Sequence, residues 1–224
     1  KDSNGKSHIY VKNLSSNEIT KVVEENEELI EGYWWANNER IVFMKDKGGD
    51  ENHHVFGVNI DGTNVKDLTP FDGVRVRVIN KLKADPHHCI ISMNKDNLQV
   101  FEPYKLNITT GELEKLYENK DIQNPIMGFT FDKDGQLRSI TQLQNSTEYH
   151  HLYRESPDSP FTLVEVTSWR TAFWILEYNY QSENPHEAYV VSNLQSDTME
   201  IQRYDLKERK VLEVLYHNDV YDVA

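Results

Sequence analysis

Residues 35–43 read Trp35-Ala36-Asn37-Asn38-Glu39-Arg40 followed by Ile41-Val42-Phe43, a polar turn leading into an apolar run of β type. The arrangement returns three times. Asp85-Pro86-His87-His88 leads into Cys89-Ile90-Ile91, Phe131-Asp132-Lys133-Asp134-Gly135-Gln136 into Leu137, and Asn184-Pro185-His186-Glu187-Ala188 into Tyr189-Val190-Val191. The runs start at 41, 89, 137 and 189, at intervals of 48, 48 and 52 residues.

A second landmark keeps the same period. Alternating strands end in tight turns that offer Asn, Asp or Gly where a left-handed backbone is needed. Tyr10 to Leu14 runs into Ser15-Ser16-Asn17, Phe56-Val58-Ile60 into Asp61-Gly62, Tyr104-Leu106-Ile108 into Thr110-Gly111, and Tyr204-Leu206 into Lys207-Glu208. The aligned positions are 14, 60, 108 and 206, and the last gap of 98 holds a degenerate copy near Tyr153-Arg154-Glu155.

A repeat in the upper forties, with four short β-type runs per unit separated by Gly, Pro, Asn and Asp, is what a β-propeller blade produces. Strand-like alternation recurs in Val74-Arg75-Val76-Arg77-Val78 and from Lys210 to Leu215, while few windows show helical spacing, which excludes helix-built solenoids. The expected fold is all-β: blades of four-stranded antiparallel sheets within one partial propeller domain spanning 1–224. Half a blade falls near 8–23 and full blades near 29–68, 74–117, 126–167 and 171–216, roughly four and a half units. The repeat starts midway through a blade and stops after a whole one, so the expected ring is incomplete. The opening Lys1-Asp2-Ser3-Asn4-Gly5 reads as the start of a cut-out fragment.

With 38% hydrophobic residues in 224, the chain can bury a sizeable core. Its 24 Lys and Arg against 37 Asp and Glu give a net charge of −13, a field that repels phosphate backbones and anionic lipid, so neither nucleic acid nor a membrane surface is an expected partner. No apolar stretch approaches the ~20 residues of a membrane span. Cys89 is the single cysteine, which rules out an internal disulfide, and its place in an apolar run reads as a buried structural thiol.

No serine sits in a G-x-S-x-G frame; Gly5-Lys6-Ser7-His8-Ile9 lacks the second glycine and a following helix pattern. The sequence holds no P-loop, no G-x-G-x-x-G turn and no H-E-x-x-H helix. The pairs His53-His54, His87-His88 and His150-His151 invite a zinc hypothesis, but strand neighbours point to opposite faces, and two of the pairs fall just before corresponding strands of the repeat. Asp46-Lys47-Gly48-Gly49-Asp50-Glu51-Asn52 reads as a hairpin turn, because Gly48 occupies a slot where a calcium loop needs a ligand. Glu24-Glu25-Asn26-Glu27-Glu28 reads as a solvated connector. Trp34, Trp35, Trp169, Phe173 and Trp174 are expected to fill the space between blades, with a peptide-lining role as the alternative. The acceptor triplets at Asn13, Asn107 and Asn145 are of the kind an Asn-rich chain generates by chance. No residue is assigned a catalytic, cofactor-binding or metal-ligating role, and no cofactor is expected.

Several stretches resemble the N-terminal propeller of the prolyl oligopeptidase family of serine peptidases, including its acylaminoacyl-peptidase-like branch. They are Lys45 to Asn52, Val58-Asn59-Ile60-Asp61-Gly62-Thr63-Asn64, Lys66-Asp67-Leu68-Thr69-Pro70-Phe71, Met93-Asn94-Lys95 with Val100-Phe101, and Leu106 to Leu113. The resemblance is densest between 34 and 120, and from Ser168 onward only the repeat supports it. It implies a propeller stacked over an α/β-hydrolase domain, screening peptide substrates by size. This chain lacks the hydrolase sequence, so none of its residues is matched to the family's triad. The implied partners are peptides, met through the full-length protein, and the hydrolase domain; open blade faces add an expectation of self-association. The rival readings are a protein-binding scaffold of WD-repeat type and a metal-dependent propeller hydrolase.

Overall fold

The computed structural model describes residues 5–25 and 27–223. Lys1 to Asn4 of the expected fragment start, Asn26 of the acidic run and Ala224 lie outside the described residues. Every regular element among the described residues is a β-strand, and the chain divides into two compact units, Lys1–Glu118 and Asn119–Ala224.

In the first unit, β1 (Ile9–Lys12) and β2 (Ile19–Val23) make a two-stranded hairpin. β3 (Ile30–Trp35), β4 (Arg40–Lys45), β5 (His54–Asn59) and β6 (Lys66–Asp67) follow as an antiparallel sheet in chain order. β7 (Val76–Asn80), β8 (His88–Met93), β9 (Glu102–Asn107) and β10 (Leu113–Lys115) repeat it. The second unit holds two more such sheets. One is β11 (Ile126–Phe131), β12 (Leu137–Gln144), β13 (Glu148–Tyr153) and β14 (Thr162–Thr167). The other is β15 (Phe173–Tyr178), β16 (Glu187–Ser192), β17 (Glu200–Asp205) and β18 (Lys210–Tyr216). These are propeller blades, each a meander of four antiparallel strands.

The second strands β4, β8 and β16 carry unbroken apolar runs because both of their faces are buried, whereas β12 mixes polar and apolar residues and is only partly covered. On β4, Ile41 and Phe43 pack with Ile9, Val22 and Val23 of the hairpin, while Val42 joins Val76, Cys89, Ile91 and Met93 of the next blade. All three β4 residues are at most 2% exposed. Removing such a side chain from water stabilises the fold by about 1.5–3 kcal/mol. In the second unit, Tyr153 and Val164 of one blade meet Phe173, Tyr178, Ala188, Val190 and Tyr204 of the next. Cys89 lies in the interblade core, 1% exposed, and burial pushes its thiol up to about 12.

The turn landmark is an Asx turn that closes the third strand. Asn13 Oδ1 accepts the amides of Ser15 and Ser16 at 2.9 and 3.2 Å, Asn107 Oδ1 those of Thr109 and Thr110 at 2.9 and 3.0 Å, and Asp205 Oδ1 those of Lys207 and Glu208 at 3.0 and 2.9 Å. Four residues after each cap the backbone turns left-handed, at Asn17 (φ 57°), Gly111 (φ 78°) and Arg209 (φ 57°). Asn59 departs from the pattern. Its Oδ1 accepts Arg40 Nη1 at 2.7 Å, and Asp61 caps the turn instead through the amide of Thr63 at 2.9 Å. Arg40 is only 4% exposed and also donates from Nε to the Ile108 carbonyl at 2.7 Å, tying two blades together.

Several expectations are corrected. Trp35, Trp169 and Trp174 are 55%, 79% and 53% exposed, so of the five aromatics only Phe173 and the half-buried Trp34 pack between blades. The exposed rings stand on β3, on β15 and on the segment just before β15. His150 and His151 lie inside β13 rather than before it. Alternation then splits them: His151 is buried, and His150 sits beside Glu148 at 3.5 Å.

Gly57 shows how tightly the Arg40 tie is built. A Cβ there would lie 2.5 Å from Arg40 Nη2 and 2.9 Å from Nε. Gly57→Ala is expected to push the guanidinium off both acceptors and cost about 1–3 kcal/mol in urea unfolding, whereas Gly32→Ala, with nothing within 4 Å, stays within about 0.5 kcal/mol of the parent. Equal midpoints for the two variants would refute the role given to Arg40.

Candidate functional site

The second unit carries an open groove along the crossover between its two blades. The crossover runs from Ser168 to Ala172 and is held by short-range hydrogen bonds. Thr171 Oγ1 accepts the Ser168 amide at 2.9 Å, Ser168 Oγ accepts the Arg170 amide at 3.3 Å, and Asn193 Oδ1 accepts the Ala172 amide at 2.7 Å. This lattice fixes the backbone while Trp169 stands out at the tip. The Arg170 guanidinium lies over the Trp169 ring, 4.6 Å from its centroid. Met127 from β11 and Trp174 from β15, each more than half exposed, extend the apolar wall.

Phe173 and His151 form the floor, their rings 5.3 Å apart and edge to face. Both imidazole nitrogens of His151 are engaged, Nδ1 with Thr141 Oγ1 at 3.2 Å and Nε2 with Thr167 Oγ1 at 2.8 Å. Burial, with the neighbouring His150 adding to it, pushes the His151 imidazole down to about 4. It is therefore neutral near pH 7, supporting the groove rather than carrying charge into it. The groove can hold an apolar side chain against the indoles and oppose a negative charge with Arg170.

A cleft in the first unit has a different character. Glu27, Glu28, Lys45, Lys47, His54, Asp67 and Asp72 line it, with charges of both signs. His54 Nδ1 lies 2.8 Å from Asp67, and that hydrogen bond, opposed by burial, raises the imidazole. The solvated-connector reading of the acidic run is corrected here. Glu25 is 6% exposed, pairs with Lys45 at 2.5 Å and accepts the amides of Glu27 and Glu28 at 3.0 and 3.1 Å, so it is a structural anchor of this wall. Glu28 accepts the Gly48 amide at 2.6 Å, tying the run to the Asp46–Asn52 hairpin.

The three His pairs do not converge. His53 pairs with Glu31, His54 with Asp67, His88 with Asp85, and His150 with Glu148. Among the described residues, no group of three or more His, Cys, Asp or Glu side chains is arranged to hold a metal ion. Sequence reasoning marked Trp169, Phe173 and Trp174 but passed over Arg170 and Met127. The available signal was the adjacency of Trp169 and Arg170 in a segment between two strand patterns.

No protein-family model matches the chain. It is 30% identical over 110 residues to dipeptidyl aminopeptidase BIII of Pseudoxanthomonas mexicana, covering 49% of this chain and 16% of that protein. Over 175 residues it is 26% identical to dipeptidyl peptidase family member 6 of Caenorhabditis elegans, covering 75% of this chain and 23% of the relative. The chain thus spans less than a quarter of either curated relative. The fold is similar to that of a prolyl endopeptidase, with a TM-score of 0.61 at 9% identity over 89% of this chain and 31% of that one. It is likewise similar to oligopeptidase B of Leishmania major, with a TM-score of 0.60 at 13% identity over 96% and 32%. The chain is thus a run of β-propeller blades whose sequence is similar to part of two peptidase relatives. More particularly, the sequence is similar over 110 residues to part of a dipeptidyl aminopeptidase, and the blades are similar in fold to part of a prolyl endopeptidase and of oligopeptidase B.

The depressed His151 gives the second unit a defined acid sensitivity. An unfolded histidine takes up a proton near its ordinary 6.5, while the folded one resists until about 4. Its contribution is thus complete above pH 6.5 and lost as pH falls from 6.5 to 4. At pH 5 the loss is about 2 kcal/mol relative to pH 7. Denaturant unfolding should show this decline, and His151→Gln should flatten it; the same slope in both proteins would disprove the assignment.

Proposed function

We propose that this chain is the substrate-gating and domain-docking part of a serine peptidase. The observation that carries the reading is the 110-residue match to a dipeptidyl aminopeptidase on a chain whose regular structure is built from propeller blades. In this reading the two compact units belong to one partial propeller domain, and the domain docks on an α/β-hydrolase domain that supplies the nucleophile. Gating then needs no chemistry from the blades. A narrow channel through a ring of blades admits a flexible peptide and excludes a folded protein by size alone.

The exposed apolar surface supports further blade neighbours. Tyr10 and Ile19 on the β1–β2 hairpin are 56% and 62% exposed, and Trp174 and Leu176 on β15 are 53% and 56% exposed. Such faces favour burial against other blades or, in the isolated chain, against a second copy.

Two measurements test the proposal. The complete reading frame is expected to encode a G-x-S-x-G segment in a strand–turn–helix setting; its product should cleave short chromogenic peptides, spare folded proteins of the same sequence, and lose activity when that serine is changed to alanine. A frame with more blades and no such segment would instead establish a binding scaffold. For the isolated chain, sedimentation velocity should show association that rises with concentration, and a single monomeric species at every concentration would rule out open blade faces.

A further inference from the structure

We infer that the groove along the Ser168–Ala172 crossover is a recognition site for peptides that carry an aromatic or large apolar side chain next to a carboxylate. The inference deepens the gating reading and rests on it: peptides must reach this chain for the site to act. Trp169 contributes a ring that is 79% exposed, Trp174 a second at 53%, and Met127 an exposed thioether. Large apolar groups held this far into water gain most when a flat apolar partner covers them.

Charge decides which partner. Among the described residues lining the groove, Arg170 carries the single full charge, since His151 is neutral near pH 7. Its guanidinium is stacked on Trp169 and directed by that ring, while the Arg170 amide and carbonyl are occupied by Ser168 and Asn193. The surrounding chain has a net charge of −13. The local guanidinium opposes an anionic group that also offers apolar surface, a short-range preference that acts against the long-range repulsion of anions by the rest of the chain. A planar guanidinium suits a carboxylate through two parallel N–H···O bonds. The fixed crossover backbone limits the ordering cost to the two side chains.

The test is calorimetric titration of the isolated chain with two blocked peptides, N-acetyl-Phe-Glu-amide and its isostere N-acetyl-Phe-Gln-amide. The glutamate peptide should bind about tenfold more tightly at about 0.15 M salt, where the long-range repulsion by the rest of the chain is screened and the direct guanidinium–carboxylate contact persists. Arg170→Gln should abolish the difference between the peptides, and Trp169→Ala should weaken both by about tenfold. Both side chains are exposed, so neither variant removes core packing. Equal affinity of the parent chain for the two peptides, unchanged preference in Arg170→Gln, or absence of saturable binding would each overturn the inference. These outcomes are separate from the gating proposal, because a full-length enzyme that cleaves short peptides and spares folded proteins would leave gating intact even if the isolated chain bound neither peptide.

Discussion

Burial of the second strand on both faces, near complete in β4, β8 and β16 and partial in β12, is the constraint from which the rest follows. Ile41-Val42-Phe43 can be continuously apolar only if one neighbour covers Ile41 and Phe43 while another covers Val42. A lone four-stranded meander would leave one of these faces wet. Blades must therefore stack, and stacking fixes the repeat length, since each unit must return the chain to the start of the next sheet. The crossovers inherit their positions from that requirement. One of them, Ser168 to Ala172, presents the groove that distinguishes the second unit.

Polar groups complete the stacking where apolar contact ends. Arg40 reaches from one blade to a backbone carbonyl of the next, and in the second unit Arg209 does the same to Val164 at 2.7 Å. Tyr178 donates to Ser139 Oγ at 2.9 Å across the same junction. Each bond gives a carbonyl or hydroxyl at a blade junction a partner. The Asx caps at Asn13, Asn107 and Asp205 act more locally, closing hairpins whose strands the interblade cores then hold. Arg209 occupies a left-handed turn position that glycine or asparagine fills elsewhere, and its side-chain bond to Val164 offsets the backbone cost.

The two concave sites show how the same scaffold acquires different surfaces. In the first unit, Glu25, Lys45, His54 and Asp67 satisfy one another within or beside a mixed-charge cleft. In the second, indoles and a guanidinium face solvent above a neutral, doubly hydrogen-bonded histidine. The first is internally compensated, whereas the second leaves apolar area and one positive charge available to a ligand.

The sequence alone determined the blades, because strand, turn and period are local properties: runs at 41, 89, 137 and 189 and the Asn, Asp and Gly residues of the third-strand turns are written in adjacent residues. It also placed Cys89 in the core, since the thiol opens the apolar run Cys89-Ile90-Ile91. Composition could not decide which aromatic and acidic residues end up covered. Trp35, Trp169 and Trp174 are as apolar as Trp34, and Glu25 is as charged as Glu24; exposure was settled by which blade or strand lies opposite each side chain. The groove around Trp169 and Arg170 likewise exists only in three dimensions. It draws Met127, His151, Trp174 and Asn193 from four separate segments, and only the antiparallel register and blade stacking bring those segments to one edge.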